Sequence, residues 1–199
     1  MSHYRHATFL ISASQLSQLP GDSDSNIEVA FAGRSNAGKS SALNVVTQQK
    51  GLARTSKTPG RTQLINLFAL DDHRRLVDLP GYGYAKVSTA IKDEWQQTLS
   101  AYLQQRDCLK GLILLMDCRH PLKDSDQLLI QWCQDSDLPC HLVLTKSDKL
   151  SRQQQMAAKR EVETAVAASP LFTVQLFSAV NRDGLDTLTR QLDQWFGYA

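Results

Sequence analysis

Eight residues, Gly33-Arg34-Ser35-Asn36-Ala37-Gly38-Lys39-Ser40, complete a G-x-x-x-x-G-K-[ST] pattern between a short apolar run, Ile27 to Ala32, and a helix-like stretch, Ser40 to Val46. A strand, a glycine-rich turn and a helix in that order form a phosphate-binding loop. The glycines let the backbone turn its N–H groups towards one anion, and the N-terminus of the following helix adds its dipole at the same place. Lys39 is then placed to reach β- and γ-phosphates, and the Ser40 hydroxyl to bind Mg²⁺. The alternative is a glycine-rich turn with no function.

The rest of the chain alternates strand-like and helix-like segments. Leu64 to Leu70 and Arg75 to Leu79 flank Asp71-Asp72 and read as a hairpin. Gly111 to Met116, His141 to Leu144 and Phe172 to Phe177 read as further strands. Helical spacing of apolar residues marks a helix from Ser88 onward (Ile91, Trp95, Leu99, Tyr102, Leu103), and another stretch lies around Ser125 to Cys133. Ser151 followed by Gln154 is a capping box for a helix to about Ala168, and Leu185, Leu188, Leu192, Trp195 and Phe196 form the apolar face of a last helix. Six strands in this order imply an α/β fold: a mostly parallel sheet with one antiparallel hairpin, flanked by helices. Residues 1–24 read as a polar arm and lead-in, and residues 25–199 as one domain. In such folds ligands sit at the carboxyl ends of the strands, so the loops there carry the chemistry.

Two further motifs stand in such loops. Asp78-Leu79-Pro80-Gly81 gives an acid at a strand end and a glycine whose N–H can approach a γ-phosphate, with Asp78 a Mg²⁺ holder through water. Thr145-Lys146-Ser147-Asp148 ends another strand. The Asp148 carboxylate can accept from both guanine N1–H and the exocyclic amine, whereas adenine would leave it unpartnered. Lys146 can lay its stem along the base, and Phe177-Ser178-Ala179 can offer backbone N–H to the guanine O6. Taken alone, the tetrapeptide reads better as an exposed helix cap.

These segments, in this order, resemble the small GTPases of the TRAFAC class over nearly the whole chain. Within the TrmE-Era-EngA-EngB-like group, the P-loop, the segment Arg54-Thr55-Ser56-Lys57-Thr58-Pro59-Gly60-Arg61-Thr62-Gln63 and the run Asp78-Leu79-Pro80-Gly81-Tyr82-Gly83-Tyr84-Ala85 are similar to the bacterial ribosome-biogenesis family EngB, also called YsxC or YihA. That resemblance implies a P-loop, Ras-like G domain and a GTPase that helps assemble the large ribosomal subunit and whose loss disturbs cell division. The Era type adds a C-terminal RNA-binding domain and the EngA type a second G domain, for which there are no residues. Carried over by position, Thr62 is the switch threonine on Mg²⁺ and the γ-phosphate, with Gly60, Arg61, Gln63 and Leu64 around it and Thr58 as competitor. Lys39, Thr62 and Gly81 are then the catalytic set, and Ser40, Thr62 and Asp78 the metal set. Thr145 replaces the commoner Asn of N-K-x-D, and Tyr82 stands where signalling GTPases place a water-orienting glutamine, so slow hydrolysis is expected. Asn36 resembles the asparagine through which related GTPases bind K⁺.

Charge adds a partner class. Val29 to Leu70 holds no Asp or Glu, although 20 acids in 199 residues would place about four there. Lys50, Arg54, Lys57 and Arg61 could neutralise rRNA phosphates; a solvated basic loop is the other reading. The longest apolar run, Leu112 to Met116, is far short of the ~20 residues of a membrane helix. With no secretory pattern, a cytoplasmic monomer is expected. Cys108, Cys118, Cys133 and Cys140 form no C-x-x-C pair and read as reduced, buried thiols; a zinc set of Cys118, His120, Cys140 and His141 fits no known spacing. His3 and His6 could chelate a metal but belong to the polar arm, and Trp95, Trp132 and Trp195 read as helix packing. No Ser-His-Asp or Cys-His arrangement supports a hydrolase. Two other functions stay open: an RNA- or protein-binding module gated by nucleotide with hydrolysis incidental, and a division-site scaffold.

Overall fold

The runs around Val29, Ile113 and Val143 are apolar at successive residues, as strands covered on both faces must be. The structure, a computed structural model, describes residues 3–23, 25–53, 64–82, 97 and 99–198. Its strands are β1 (Thr8–Ala13), β2 (Ile27–Gly33), β3 (Ile65–Ala69), β4 (Arg74–Asp78), β5 (Leu109–Asp117), β6 (Cys140–Thr145) and β7 (Phe172–Leu176). They form one sheet in the order β1-β3-β4-β2-β5-β6-β7. β2 pairs in parallel with β4 and β5, β5 with β6, and β6 with β7, whereas β3 runs antiparallel to both β4 and β1.

Because side chains alternate across a strand, each central strand feeds two cores. Val29, Phe31, Ile113, Leu115 and Val143 pack with α1 (Lys39–Thr47) and α4 (Leu185–Phe196) through Leu43, Val46, Leu188 and Leu192. Ala30, Leu112, Leu114, Leu142 and Leu144 pack on the other face with Leu99 and Leu103 of helical residues 99–105, with α2 (Asp124–Asp135) and with α3 (Arg152–Val166). The expected capping box starts α3: Ser151 Oγ accepts from Gln154 N at 3.4 Å and Gln154 Oε1 accepts from Ser151 N at 3.0 Å. Trp195 lies against Gly111, where a Cβ would meet its ring at 2.6 Å, so α4 approaches β5 this closely only over a glycine. Trp132 is partly buried on the opposite core, and Trp95 with Ile91 falls outside the described residues.

The sheet has seven strands where the sequence suggests six. The extra one, β1, comes from the stretch read as a polar arm. Phe9 and Leu10 are exposed and only Ala13 is fully buried, so the segment carries no period-two signal; its order comes from pairing with the free edge of β3. The residues before it are docked as well. Tyr4 is fully buried with its hydroxyl donating to Asp193 at 2.7 Å, and the His3 ring stacks on Tyr198 at 3.9 Å. Packing thus accounts for His3 without a metal.

All four cysteines are buried and unpaired, as expected. Both ring nitrogens of His141 are engaged, Nδ1 with Thr173 Oγ1 at 2.6 Å and Nε2 with Gln175 Oε1 at 2.8 Å, so this ring is not offered to a zinc ion.

At the amino ends of the strands, Glu28 is fully buried. Its carboxylate accepts from Arg106 Nη2, from Arg106 Nε at 3.2 Å and from the Tyr102 hydroxyl at 2.8 Å, with Arg75 Nη1 3.7 Å away. Arg106 Nη1 also donates to the Pro20 carbonyl at 3.0 Å. The pair ties residues 99–105 and the lead-in to β2. Removing one member of a buried pair leaves the other charge uncompensated, so Arg106→Met should cost about 3–5 kcal/mol. The check is urea unfolding, with a lower midpoint at unchanged slope.

Candidate functional site

β2 ends at Gly33, where a Cβ would lie 2.7 Å from the Leu115 carbonyl oxygen, so any side chain there would push β2 away from β5. Asn36 (φ 65°) and Gly38 (φ 92°) are both left-handed, and Lys39 opens α1. Alternating left- and right-handed residues curl a backbone into an anion-binding nest. Neighbouring loops hold this curl. Ser35 N donates to the Tyr82 carbonyl at 2.8 Å, the Thr145 hydroxyl is shared between the carbonyls of Ala37 (2.6 Å) and Met116 (3.1 Å), and Lys146 Nζ donates to the Asn36 carbonyl at 2.7 Å.

Asp78 is the last residue of β4, and register with Phe31 brings it to the P-loop. Its carboxylate forms an ion pair with Lys39 Nζ, both side chains being largely buried. Ser40 is the next residue of α1. Leu79 N donates to the Phe31 carbonyl at 3.0 Å, and Gly81 lies so close that a Cβ on it would be 3.5 Å from Ser35 Cα. A carboxylate that already faces a cation, beside a hydroxyl at a helix start, is a hard-oxygen set of the kind Mg²⁺ takes.

Tyr82 does not point into this site. It is buried, and its hydroxyl donates to Asp126 Oδ1 at 2.8 Å while Asp126 Oδ2 accepts from Lys123 N at 3.1 Å, capping α2. Burial pushes the Asp126 carboxyl upward. The positive charge of Arg34 acts on both Tyr82 and Asp126.

The base motif continues β6. Lys146 is left-handed (φ 57°), and Ser147 N donates to the Phe177 carbonyl at 3.1 Å while Phe177 N donates to the Leu144 carbonyl at 2.8 Å, joining the ends of β6 and β7. This brings Asp148 and the Phe177-Ser178-Ala179 turn together. Asp148 Oδ1 accepts from the fully buried Ser178 hydroxyl at 2.7 Å, and Lys149 Nζ lies 3.2 Å from Oδ2. The Ser178 bond, with Lys149 behind it, holds the Asp148 carboxyl below the usual carboxylate range. An ionised, pre-aimed acceptor is what guanine requires.

The structure thus gathers Gly33 to Ser40, Asp78 to Gly81, Thr145 to Asp148 and Phe177 to Ala179 at the carboxyl end of the sheet, with Leu64 half-buried just before β3. Gly60, Arg61, Thr62 and Gln63, with the rival Thr58, lie outside the described residues, as do Arg54 and Lys57 of the basic stretch. Lys50 is exposed. One residue beside the site carries no motif: Asp117, which ends β5 opposite Thr145. The only sequence signal for it is an acid at the carboxyl end of a parallel strand.

A family profile described as 50S ribosome-binding GTPase matches residues 28–146. The chain is 60% identical to a probable GTP-binding protein EngB of Pseudoalteromonas atlantica, covering 100% of this chain and 96% of the relative. It is 55% identical to the probable GTP-binding protein EngB of Coxiella burnetii, covering 97% and 94%. A crystal structure of a probable GTP-binding protein EngB superposes with a TM-score of 0.69 at 18% identity, over 86% of this chain and all of that one. Aquifex aeolicus Era bound to GDP·AlF₄⁻ superposes with a TM-score of 0.64 at 18% identity, over 84% and 56%. At these identities the two structures speak for the fold alone.

Ser178 gives a pH test. Its hydroxyl favours ionised Asp148, so guanine binding persists as pH falls until the lowered pKa is reached. In Ser178→Ala the acid limb of fluorescent-GDP binding should move to higher pH, towards the ordinary carboxylate range. A limb that stays in place would detach Asp148 from base recognition.

Proposed function

The chain belongs to the EngB family of GTP-binding proteins, which are GTPases, and on that premise we propose that it is a Mg²⁺-dependent, slow GTPase that acts as a switch in assembly of the large ribosomal subunit and is needed for normal septation. The observation that carries the ribosomal part is the match of residues 28–146 to a profile of 50S ribosome-binding GTPases, alongside full-length identity to EngB proteins. We place it in the cytoplasm as a monomer, with residues 25–199 as the G domain; no described helix is long and apolar enough to cross a membrane.

In this reading the P-loop binds the phosphates through its backbone and through Lys39. Asp78, Ser40 and Thr62 hold Mg²⁺, which when bound neutralises charge on the β- and γ-oxygens. Gly81, packed on Ser35, places its backbone at the phosphate end, and Asp148 with the 177–179 turn selects guanine. Hydrolysis is slow because Tyr82 is tied to Asp126 and cannot orient water. Asn36 would hold K⁺, which when bound would supply a positive charge at the phosphates. Lys50, Arg54, Lys57 and Arg61 then offer positive charge to rRNA phosphates of the particle. The anchoring of Tyr82 also favours a second reading, a nucleotide-gated binding module in which hydrolysis is incidental.

Two measurements separate these. Co-sedimentation with large-subunit particles under K⁺ should show pelleting with a non-hydrolysable GTP analogue and not with GDP; no pelleting in either state would remove the ribosomal role. Turnover should rise about tenfold or more when K⁺ replaces Na⁺, within what a positive charge at the transferred phosphate can supply. Asn36→Ala should abolish that rise, and turnover indifferent to K⁺ would favour the binding module.

A further inference from the structure

We infer that Asp117, at the carboxyl end of β5, is a positioning residue for guanine-nucleotide binding: it holds the Lys146 ammonium against the P-loop, and Arg119 holds Asp117 in turn. The inference rests on the guanine-nucleotide reading of the site.

Lys146 Nζ lies 2.9 Å from Asp117 Oδ2 and donates to the Asn36 carbonyl at 2.7 Å. One ammonium therefore joins the base loop, the P-loop and β5. Arg119 grips the same carboxylate at three points, with its backbone N at 3.1 Å and Nε at 2.9 Å from Oδ1, and Nη2 at 2.6 Å from Oδ2. Burial alone would push the Asp117 carboxyl up, but Arg119 and Lys146 outweigh it and hold it well below the usual range. The acid is therefore charged wherever the protein is used.

The arrangement matters because both residues of the Lys146–Asn36 bond have left-handed backbones. Asn36 and Lys146 are left-handed without being glycine, a conformation that Asn tolerates but that an ordinary side chain such as Lys rarely adopts. A free lysine side chain would also lose its rotamer freedom when its stem is laid along a purine. With the ammonium fixed at both Asn36 and Asp117, the stem is held at both ends before ligand arrives, and binding orders less. Asp117 needs no contact with the nucleotide to do this.

The test is a double-mutant cycle read as fluorescent-GDP and GTP-analogue affinity. Asp117→Asn keeps the shape and removes the charge, and should weaken both nucleotides about tenfold, the scale of one charge-assisted hydrogen bond. Lys146→Met should weaken both by more, and adding Asp117→Asn to it should change affinity less than twofold. Arg119→Ala should give a smaller loss that also disappears in the Lys146→Met background, and Arg119→Lys should restore part of it. Thermal melting of each variant without nucleotide reports folding; if Asp117→Asn does not fold, the Arg119 arm of the cycle decides the matter. Unchanged affinity in folded Asp117→Asn, or losses that simply add to that of Lys146→Met, would reduce Asp117 to a structural acid and overturn the proposal. Parent protein that failed to bind GDP in the same titration would instead sink the nucleotide reading beneath it.

Discussion

A left-handed curl at Asn36 and Gly38 has to be held open towards one anion, and much of the surrounding structure can be understood as what holds it. Asn and Gly are the residue types that adopt such a backbone singly, but their own propensity does not aim the curl at one anion. It is fastened from outside by the Tyr82 carbonyl from the segment after β4 and by the Thr145 hydroxyl and the Lys146 ammonium from the end of β6, all at the carboxyl end of the sheet. Those loops arrive together because the parallel register is shared. Phe31 pairs with Asp78, Gly33 with Leu115 and Asp117 with Thr145, so β5 and β6 end level while β2 and β4 end in short steps before them, all at the same end of the sheet. A slip of one residue in any of these pairs would turn its ligand to the opposite face of the sheet.

The opposite end of the sheet serves this geometry indirectly. The buried charge of Glu28, met by Arg106 and Tyr102, fixes helical residues 99–105 and the start of β2. Close approach does similar work at the far side, where Trp195 lies over Gly111 and seats α4 on β5. A frame fixed at both ends lets a site built from loops keep sub-ångström placement, which positioning chemistry requires.

Legibility in the sequence followed the range of the forces. The P-loop, the Asp78 to Gly81 run and the Thr145 to Asp148 motif were readable because each is a short backbone device with its own residue code, and the helices from Ser151 and at Leu185 because capping and periodicity are local. The features that were not readable join residues far apart in the chain. Tyr4 meets Asp193, Tyr102 and Arg106 meet Glu28, and Tyr82 meets Asp126 through side chains whose partners no local pattern announces. β1 belongs to the same class, since an exposed Phe9 and Leu10 gave it the composition of an arm. Thr145 was legible only as a departure from asparagine. Its structural meaning, one hydroxyl shared by two carbonyls of neighbouring elements, required the third dimension.

Tyr82 shows how the same residue can be read twice and acquire a second meaning. In the sequence it is the place where a glutamine is missing. In the fold its backbone bonds to both Gly33 and Ser35, while its hydroxyl reaches Asp126 at the start of α2. Residues 79–82 therefore extend β4 alongside the P-loop and connect it, through one buried hydroxyl, to a helix on the other face of the sheet. A tyrosine suits that task because its ring fills the core and its polar tip satisfies a buried carboxylate that already caps a helix. The position that signalling GTPases use to orient water is used in this chain to fasten the phosphate end of the site to α2.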